Sequence, residues 1–259
     1  MRPQDSLNGK TVVVTRPLAQ AQKMCASLEC LQATIVHFPV ISIATAQDIE
    51  PAKTAFQNLN SYSSIIFISA NAVHYAIKLA QELNLNFHDR CLATVGPATK
   101  TALENYGYNS SIIPTARFNS EALLSHPSLQ QIEGQKILIV RGQGGREHLR
   151  LELEARGAQI SYAEVYQRQL PLQRKQIDLS ELPDANTAVL IYSAESVQNL
   201  WALCRINEQQ WLRNVTLIVG SQRIAETASS VGLANNPIIA ENPSDEAMLN
   251  ALIAWAAKR

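Results

Sequence analysis

The sequence predicts an α/β protein made of two similar doubly wound parallel-sheet units that arose by internal duplication. Three observations predict this. Short apolar runs rich in β-branched residues alternate with helix-like segments along the chain. The runs are almost continuously hydrophobic, as strands covered on both faces are. The second half of the chain also repeats the first in order and at one spacing.

The repeat runs without a gap when GKTVVVTRPLAQAQKMCASLECLQATIVHFPVISI from Gly9 is laid over GQKILIVRGQGGREHLRLELEARGAQISYAEVYQR from Gly134, an offset of 125. Arg16 then falls on Arg141, Leu28 on Leu153, Ala33 on Ala158, Ile35 on Ile160 and Val40 on Val165. Downstream, IIFISANAV matches VLIYSAESV at an offset of 124, with Ser69 on Ser193. LATVGPATKTAL matches TLIVGSQRIAET at the same offset, with Gly96 on Gly220. Gly107 against Gly232 and SEALL against DEAML return to 125.

Each copy has the same succession of elements. A first strand (11–15, 137–140) precedes a helix; Pro17 suits the first turn, and Met24, Leu28 and Leu31 recur at helical spacing. A second strand (65–68, 189–192) enters a helix through Ser-Ala-Asn or Ser-Ala-Glu, where serine or asparagine can cap it. A third (92–95, 216–219) meets Gly96 or Gly220 and then a helix ending at Gly107 or Gly232. A short extended piece and a final helix close the copy. One feature does not fit two tandem domains. Segments 33–45 and 158–171 are extended in character and much longer than a typical strand of about 5–6 residues. Each reads as a strand plus a continuation. The two continuations are expected to pair as a connector, so that the chain starts in one unit, completes the other and returns.

Composition removes several classes of function. The 22 basic and 22 acidic residues cancel, and there is no basic run, so the chain lacks the charge that a nucleic-acid binder needs. No apolar run approaches the ~18 residues of a membrane helix. Cys25, Cys30, Cys91 and Cys204 have no metal-ligand spacing and read as free thiols in a reducing compartment. The five histidines form no ligand cluster, so no metal is expected. The polar start MRPQDSLNGK has no apolar leader core, and the cytoplasm is the expected location.

In doubly wound sheets, ligands sit beyond the carboxyl ends of the strands. The residues expected there include Arg16, Ser69, Asn71, Gly96 and Thr99 in one copy, and Arg141, Gly142, Arg146, Ser193 and Gly220 in the other. Hydroxyls, glycines and arginines beside helix N-termini favour carboxylates or phosphates. The turn RGQGGREHL lacks both the lysine of a phosphate loop and the third glycine of a dinucleotide fingerprint, and its first-copy counterpart RPLAQA has no glycine. It reads either as an anion loop for carboxylates or as a tight turn that needs glycine. The copies differ at Tyr166, which aligns with Ile41, and at Tyr162, which aligns with His37. Tyr166 is expected in the return connector, facing the space between the units. A phenol keeps its proton at neutral pH and can serve as a general acid; tyrosine is also an ordinary strand residue.

The motifs TVVVTRP, FISANAV, ATVGPAT, ILIVRGQGGREHL, EVYQR and VGSQRIAETASSVGL, each weak alone, resemble in their order and spacing those of the uroporphyrinogen-III synthase family, over about 9–255. The resemblance implies two flavodoxin-like domains joined by a two-stranded antiparallel connector. The first domain would span 1–37 and 168–259 and the second 42–163, with connectors near 38–41 and 164–167. It implies a cofactor-free enzyme of tetrapyrrole and haem biosynthesis, a monomer. This enzyme would dehydrate hydroxymethylbilane, invert its terminal pyrrole ring and close the macrocycle. The substrate would be an eight-carboxylate linear tetrapyrrole, with transient contact to hydroxymethylbilane synthase expected. Tyr166 matches the family's proposed acid. Ser69, Thr99, Arg141 and Ser193 are expected to bind substrate, with Gly142 and Gly220 as backbone donors and Asn71, Arg16 and Arg146 as further contacts. The second copy reads GSQR where many relatives have proline and threonines, which leaves Arg223 in a threonine's place. Two rival readings share the cleft and the duplication: a non-catalytic two-lobed binder of a polyanion, and a nucleotide-dependent enzyme.

Overall fold

The computed structural model describes residues 6–114, 119–233 and 237–258; the first five residues of the polar start and Arg259 lie outside them. In chain order the elements are β1 (Thr11–Val14), α1 (Leu18–Cys30), β2 (Thr34–His37), β3 (Ser42–Thr45), α2 (Glu50–Gln57), β4 (Ser64–Phe67), α3 (Ala70–Glu82), β5 (Leu92–Thr94), α4 (Pro97–Glu104) and α5 (Ser120–Leu124). They continue with β6 (Lys136–Gly142), α6 (His148–Ala155), β7 (Gln159–Gln169), β8 (Thr187–Ile191), α7 (Ala194–Leu203), α8 (Ile206–Leu212), β9 (Thr216–Val219), α9 (Gln222–Ser230), β10 (Ile238–Ile239) and α10 (Asp245–Ala256).

The chain divides into two units, one of Met1–Ser42 with Gln169–Arg259 and one of Ile43–Arg168. The first unit's sheet has the order β10-β9-β8-β1-β2, with every pair parallel. The second has β3-β7-β6-β4-β5, with β7-β6-β4-β5 parallel and Ile112 bridging Ala93 beyond β5. Apart from β3, both sheets follow one doubly wound order, 2-1-3-4-5, in which β6 and β7 of the second unit stand where β1 and β2 stand in the first. The two sequence copies have therefore exchanged parts. Each unit takes its first strand–helix–strand from one copy and the remainder from the other.

The alternation of buried residues explains why the strands read as continuous apolar runs. In β1, Val12 and Val14 join one core while Val13 joins the opposite one. In β4, Ile65 and Phe67 face one core and Ile66 the other; β6 repeats this with Leu138 and Val140 against Ile137 and Ile139. Helices cover both faces of each sheet, so no strand face is polar.

Two expectations shift. Pro17 sits just before α1, with φ −52° and ψ 146°, so the helix starts at Leu18. The two long segments also behave differently. The second is one strand, β7, whereas the first breaks into β2 and β3. The break falls where Pro39 stands opposite Glu164 of the repeat. Proline has no N–H for a ladder, and the flanking Phe38 and Val40 turn into the first unit's core, bonded to Val14 and Thr15 carbonyls at 3.0 Å. The continuation β3 then lies beside β7 at the edge of the second sheet, with Ala46 N–H on the Val165 carbonyl at 3.3 Å.

Cys204 is buried in the first unit, and burial pushes its thiol up to about 12. Its contribution to stability is whole below the unfolded thiol's value near 9 and is eroded as pH rises toward 12. At pH 8, a thiol reagent is expected to titrate exposed Cys30 quickly and to reach Cys204 only after denaturant is added. Equal rates at the two thiols would contradict the burial.

Candidate active site

The second unit gathers several of the expected residues at the carboxyl ends of its strands. Ser69 follows β4 in an extended conformation and caps α3, its Oγ accepting the Ala72 N–H at 3.1 Å. The same oxygen lies 3.2 Å from the Tyr166 hydroxyl. Tyr166 lies within β7, and its side chain is buried in the second unit's core, 2% exposed. The strand continues because Glu164 leaves it a backbone donor, and Gly142 opposite leaves the ring room. A Cβ at Gly142 would come within 2.6 Å of the ring's Cε2 and Cζ. Tyr75 packs against the ring at 5.9 Å between centroids.

A cavity of about 390 Å³ opens beside these groups, entirely within the second unit. Tyr166, Tyr162, Arg146, Arg168, Glu121 and the Gly144–Gly145 backbone line part of it. Arg146 is exposed on the loop. Arg168 is not among the candidates read from the sequence; its place two residues after Tyr166 on one strand, and so on the same face, is the available signal.

The glycine-rich loop lines the cavity and folds around its own arginine. The Arg141 side chain is only 3% exposed. It pairs with Glu147 at 2.9 Å and Glu164 at 3.8 Å, donates to the Gly144 carbonyl, and stacks 4.5 Å from the Tyr162 ring. The Gly144 N–H in turn reaches Glu164 Oε1 at 3.3 Å. The loop does gather carboxylates, but they are the protein's own. Arg141 is thus held by the protein's own carboxylates, and it also forms part of the cavity lining. Gly144 and Gly145 have φ of +70° and +107°, and a side chain at Gly145 would meet the Arg141 guanidinium at 2.8 Å, which is the tight-turn reading of these glycines. The Tyr162 hydroxyl donates to Glu147 Oε2 at 2.7 Å. That bond, with Arg141, holds the Glu147 carboxyl below its ordinary range, while burial and the same bond push the Tyr162 phenol up to about 12. The Glu147 contacts are therefore complete at neutral pH and are lost as pH falls into the acid range.

Other expected residues take more modest places. Asn71 is half-buried in the first turn of α3, and Thr99 is buried in the first turn of α4, its N–H bonded to the Gly96 carbonyl at 3.1 Å. Neither lines the cavity. Gly142 is buried in β6, and its observed role is to admit the Tyr166 ring.

In the first unit, Ser193 caps α7, its Oγ accepting the Ser196 N–H at 3.1 Å and lying 2.8 Å from the Ser196 hydroxyl. Arg16 pairs with Asp245 at 2.9 Å and stacks on Tyr192 at 4.6 Å. Gly220 is not the open backbone donor expected: its N–H is bonded to the Ile191 carbonyl at 3.3 Å, and a Cβ there would press on Pro243 at 2.6 Å. Arg223 is exposed on α9. Among the described residues no three His, Cys, Asp or Glu side chains gather as a metal site, and no helix is long and apolar enough to cross a membrane.

These features define a class: a duplicated α/β protein of two doubly wound units, with hydroxyls and arginines at the strand ends and a phenol seated against a serine. A family model described as uroporphyrinogen-III synthase HemD matches residues 22–250. Uroporphyrinogen-III synthase of Escherichia coli (strain K12) is 30% identical over 250 residues, covering 93% of this chain and 99% of its own. Among solved structures, uroporphyrinogen-III synthetase from Helicobacter pylori 26695 superposes with a TM-score of 0.60 at 14% identity, covering 95% of this chain and 99% of that one. A mutant uroporphyrinogen III synthase from the extremely thermophilic bacterium Thermus thermophilus superposes with 0.59 at 17%, covering 96% and 100%. Both structural likenesses support the two-unit fold. The chain belongs to the uroporphyrinogen-III synthase family, and it is an enzyme, a lyase of porphyrin biosynthesis.

Proposed function

We propose that this chain converts hydroxymethylbilane to uroporphyrinogen III, with Tyr166 as the acid that starts the reaction. The observation that carries the proposal is the Tyr166 hydroxyl held 3.2 Å from Ser69 in a residue that also lines the arginine-bearing cavity. The phenolic proton passes to the substrate's terminal hydroxyl. The C–O bond breaks, its electron pair leaves with water, and the pyrrole nitrogen supplies the compensating push to give a cationic azafulvene. The last ring attacks through its substituted carbon. The resulting spiro species opens and recloses with that ring inverted, and the proton released when the pyrrole recovers its aromaticity restores the acid. Water is the only other product, so the bond changes balance without an oxidant or reductant.

Most of the rate gain comes from folding the chain for attack at the substituted carbon. Arg146 and Arg168, on the cavity wall, suit the substrate's carboxylates. Asn71, Thr99, Ser193 and Arg16 remain proposed contacts through their places at strand and helix ends, while Ser69 stands beside the phenol. Arg141 and Gly142, which also line the cavity, stay among the proposed contacts, and Gly220 acts through the scaffold. Free thiols at Cys25, Cys30, Cys91 and Cys204 support a reducing location, the cytoplasm. A substrate that also closes unaided, to isomer I, favours transient contact with hydroxymethylbilane synthase.

The test is an isomer assay with substrate generated in situ and oxidised products separated by chromatography. Isomer III is expected to predominate. Tyr166→Phe is expected to lower kcat by about 10- to 100-fold without abolishing it, since water can also protonate the leaving group. Isomer I alone from folded protein would leave a non-catalytic polyanion binder as the better account.

A further inference from the structure

The two copies make the same serine cap and use it differently. In the first unit the Ser193 hydroxyl lies against Ser196 at 2.8 Å. The position equivalent to Ser196 in the second unit is Ala72, which is fully buried and has no hydroxyl. Ser69 keeps the cap, accepting from Ala72 N–H at 3.1 Å, and directs its remaining hydrogen-bonding capacity to Tyr166. Tyr166 itself stands where the first unit has Ile41, and Gly142, which makes room for the ring, stands where it has Pro17. Three differences between the copies thus converge on one pair of oxygens.

We propose that Ser69 is a positioning residue for Tyr166, its hydroxyl donating to the phenolic oxygen so that the phenol's own proton is left for the substrate. The proposal rests on the reading of Tyr166 as the acid. A serine oxygen that accepts from a backbone N–H still has its own proton to give. As the phenol passes its proton to the departing hydroxyl, its oxygen becomes a phenolate. The bond from Ser69 is then charge-assisted, and so stronger than in the resting enzyme. The resting distance of 3.2 Å leaves room for that shortening. Such a contact acts on kcat and not on substrate affinity.

The experiment measures kcat, KM and melting temperature for Ser69→Ala, Tyr166→Phe, their double variant and Ala72→Ser. The last restores the first unit's arrangement: it keeps the cap and offers the Ser69 hydroxyl a competing partner. Ser69→Ala is expected to lower kcat about ten-fold with KM unchanged. In the Tyr166→Phe background it is expected to change kcat by less than about two-fold, since its partner is already gone. Ala72→Ser is expected to lower kcat several-fold while remaining as stable as the parent. A rise in KM at constant kcat, or losses that multiply in the double variant, would make Ser69 a direct substrate contact and overturn the proposal. Wild-type kcat in Tyr166→Phe would remove the acid reading as well. A slow Tyr166→Phe beside fully active Ser69→Ala and Ala72→Ser would remove the positioning role alone.

Discussion

Glu208→Ala is expected to destabilise the first unit by about 3–5 kcal/mol, the cost of breaking a buried ion pair from one side. Glu208 is fully buried at the start of α8. Its Oε2 accepts the Arg205 N–H at 2.7 Å, its Oε1 accepts the Leu179 N–H at 2.9 Å, and Arg174 donates to the same Oε1. Arg174 also donates to the Ile177 carbonyl at 2.7 Å and stacks 5.2 Å from Phe38. One carboxylate thus ties segment 174–179 to α8. Removing it leaves two backbone donors without an acceptor and the Arg174 guanidinium without its carboxylate, facing a cavity. A fall of roughly 6–20 °C in melting temperature is expected. Arg174→Ala should cost less, because both backbone donors keep their acceptor, and the two losses should not add. A change of less than about 2 °C in Glu208→Ala would show that the carboxylate is dispensable.

Glu208 also marks the limit of what the sequence tells. Nothing in RINEQQWL distinguishes it from a solvated helix residue, because its three donors come from 3 to 34 positions away. Strands were legible for the opposite reason. A strand buried on both faces must be apolar at nearly every position, and β1, β4, β6 and β8 are close to that limit. The broken connector was legible in retrospect at Pro39, the position where the copies differ in a backbone donor. At the site, alignment of the copies pointed to Tyr166 because it breaks the repeat. The same alignment could not show which carboxylates the two equivalent arginines meet: Asp245 takes Arg16, while Glu147 and Glu164 take Arg141. Charge can be counted along a chain, but whether it remains available depends on neighbours that only the fold supplies. Gly142 illustrates the same limit for space. A glycine after a strand suggests a turn or a ligand, whereas here it is the absent half of a contact with the Tyr166 ring, which arrives from the neighbouring strand.

Gly142→Ala is therefore expected to remove as much activity as Tyr166→Phe and to cost stability as well. Gly142 does not have the positive φ that would require glycine on backbone grounds, so the demand is for room alone. An added methyl at 2.6 Å from Cε2 and Cζ overlaps both atoms, so the ring has to shift from its seat. Tyr75 packs against the same ring, held by a 2.8 Å bond from its hydroxyl to the Ile43 carbonyl. The strain is expected to reach about 1–3 kcal/mol, typical of overpacking. A shift of the phenol by about 1 Å is enough to cost up to 100-fold in rate. Two double variants separate space from chemistry. Gly142→Ala with Tyr166→Phe keeps the ring and hence the overlap, so its stability should stay low. Gly142→Ala with Tyr166→Ile uses the side chain found at the equivalent position of the first unit, where the neighbour is Pro17 and not glycine. That pair should recover the lost melting temperature while isomer III formation stays as low as in Tyr166→Phe. Parental stability and parental isomer ratio in Gly142→Ala alone would mean that the ring moves freely, and that the seat formed by Gly142, Tyr75 and Ser69 does not govern where the phenol lies.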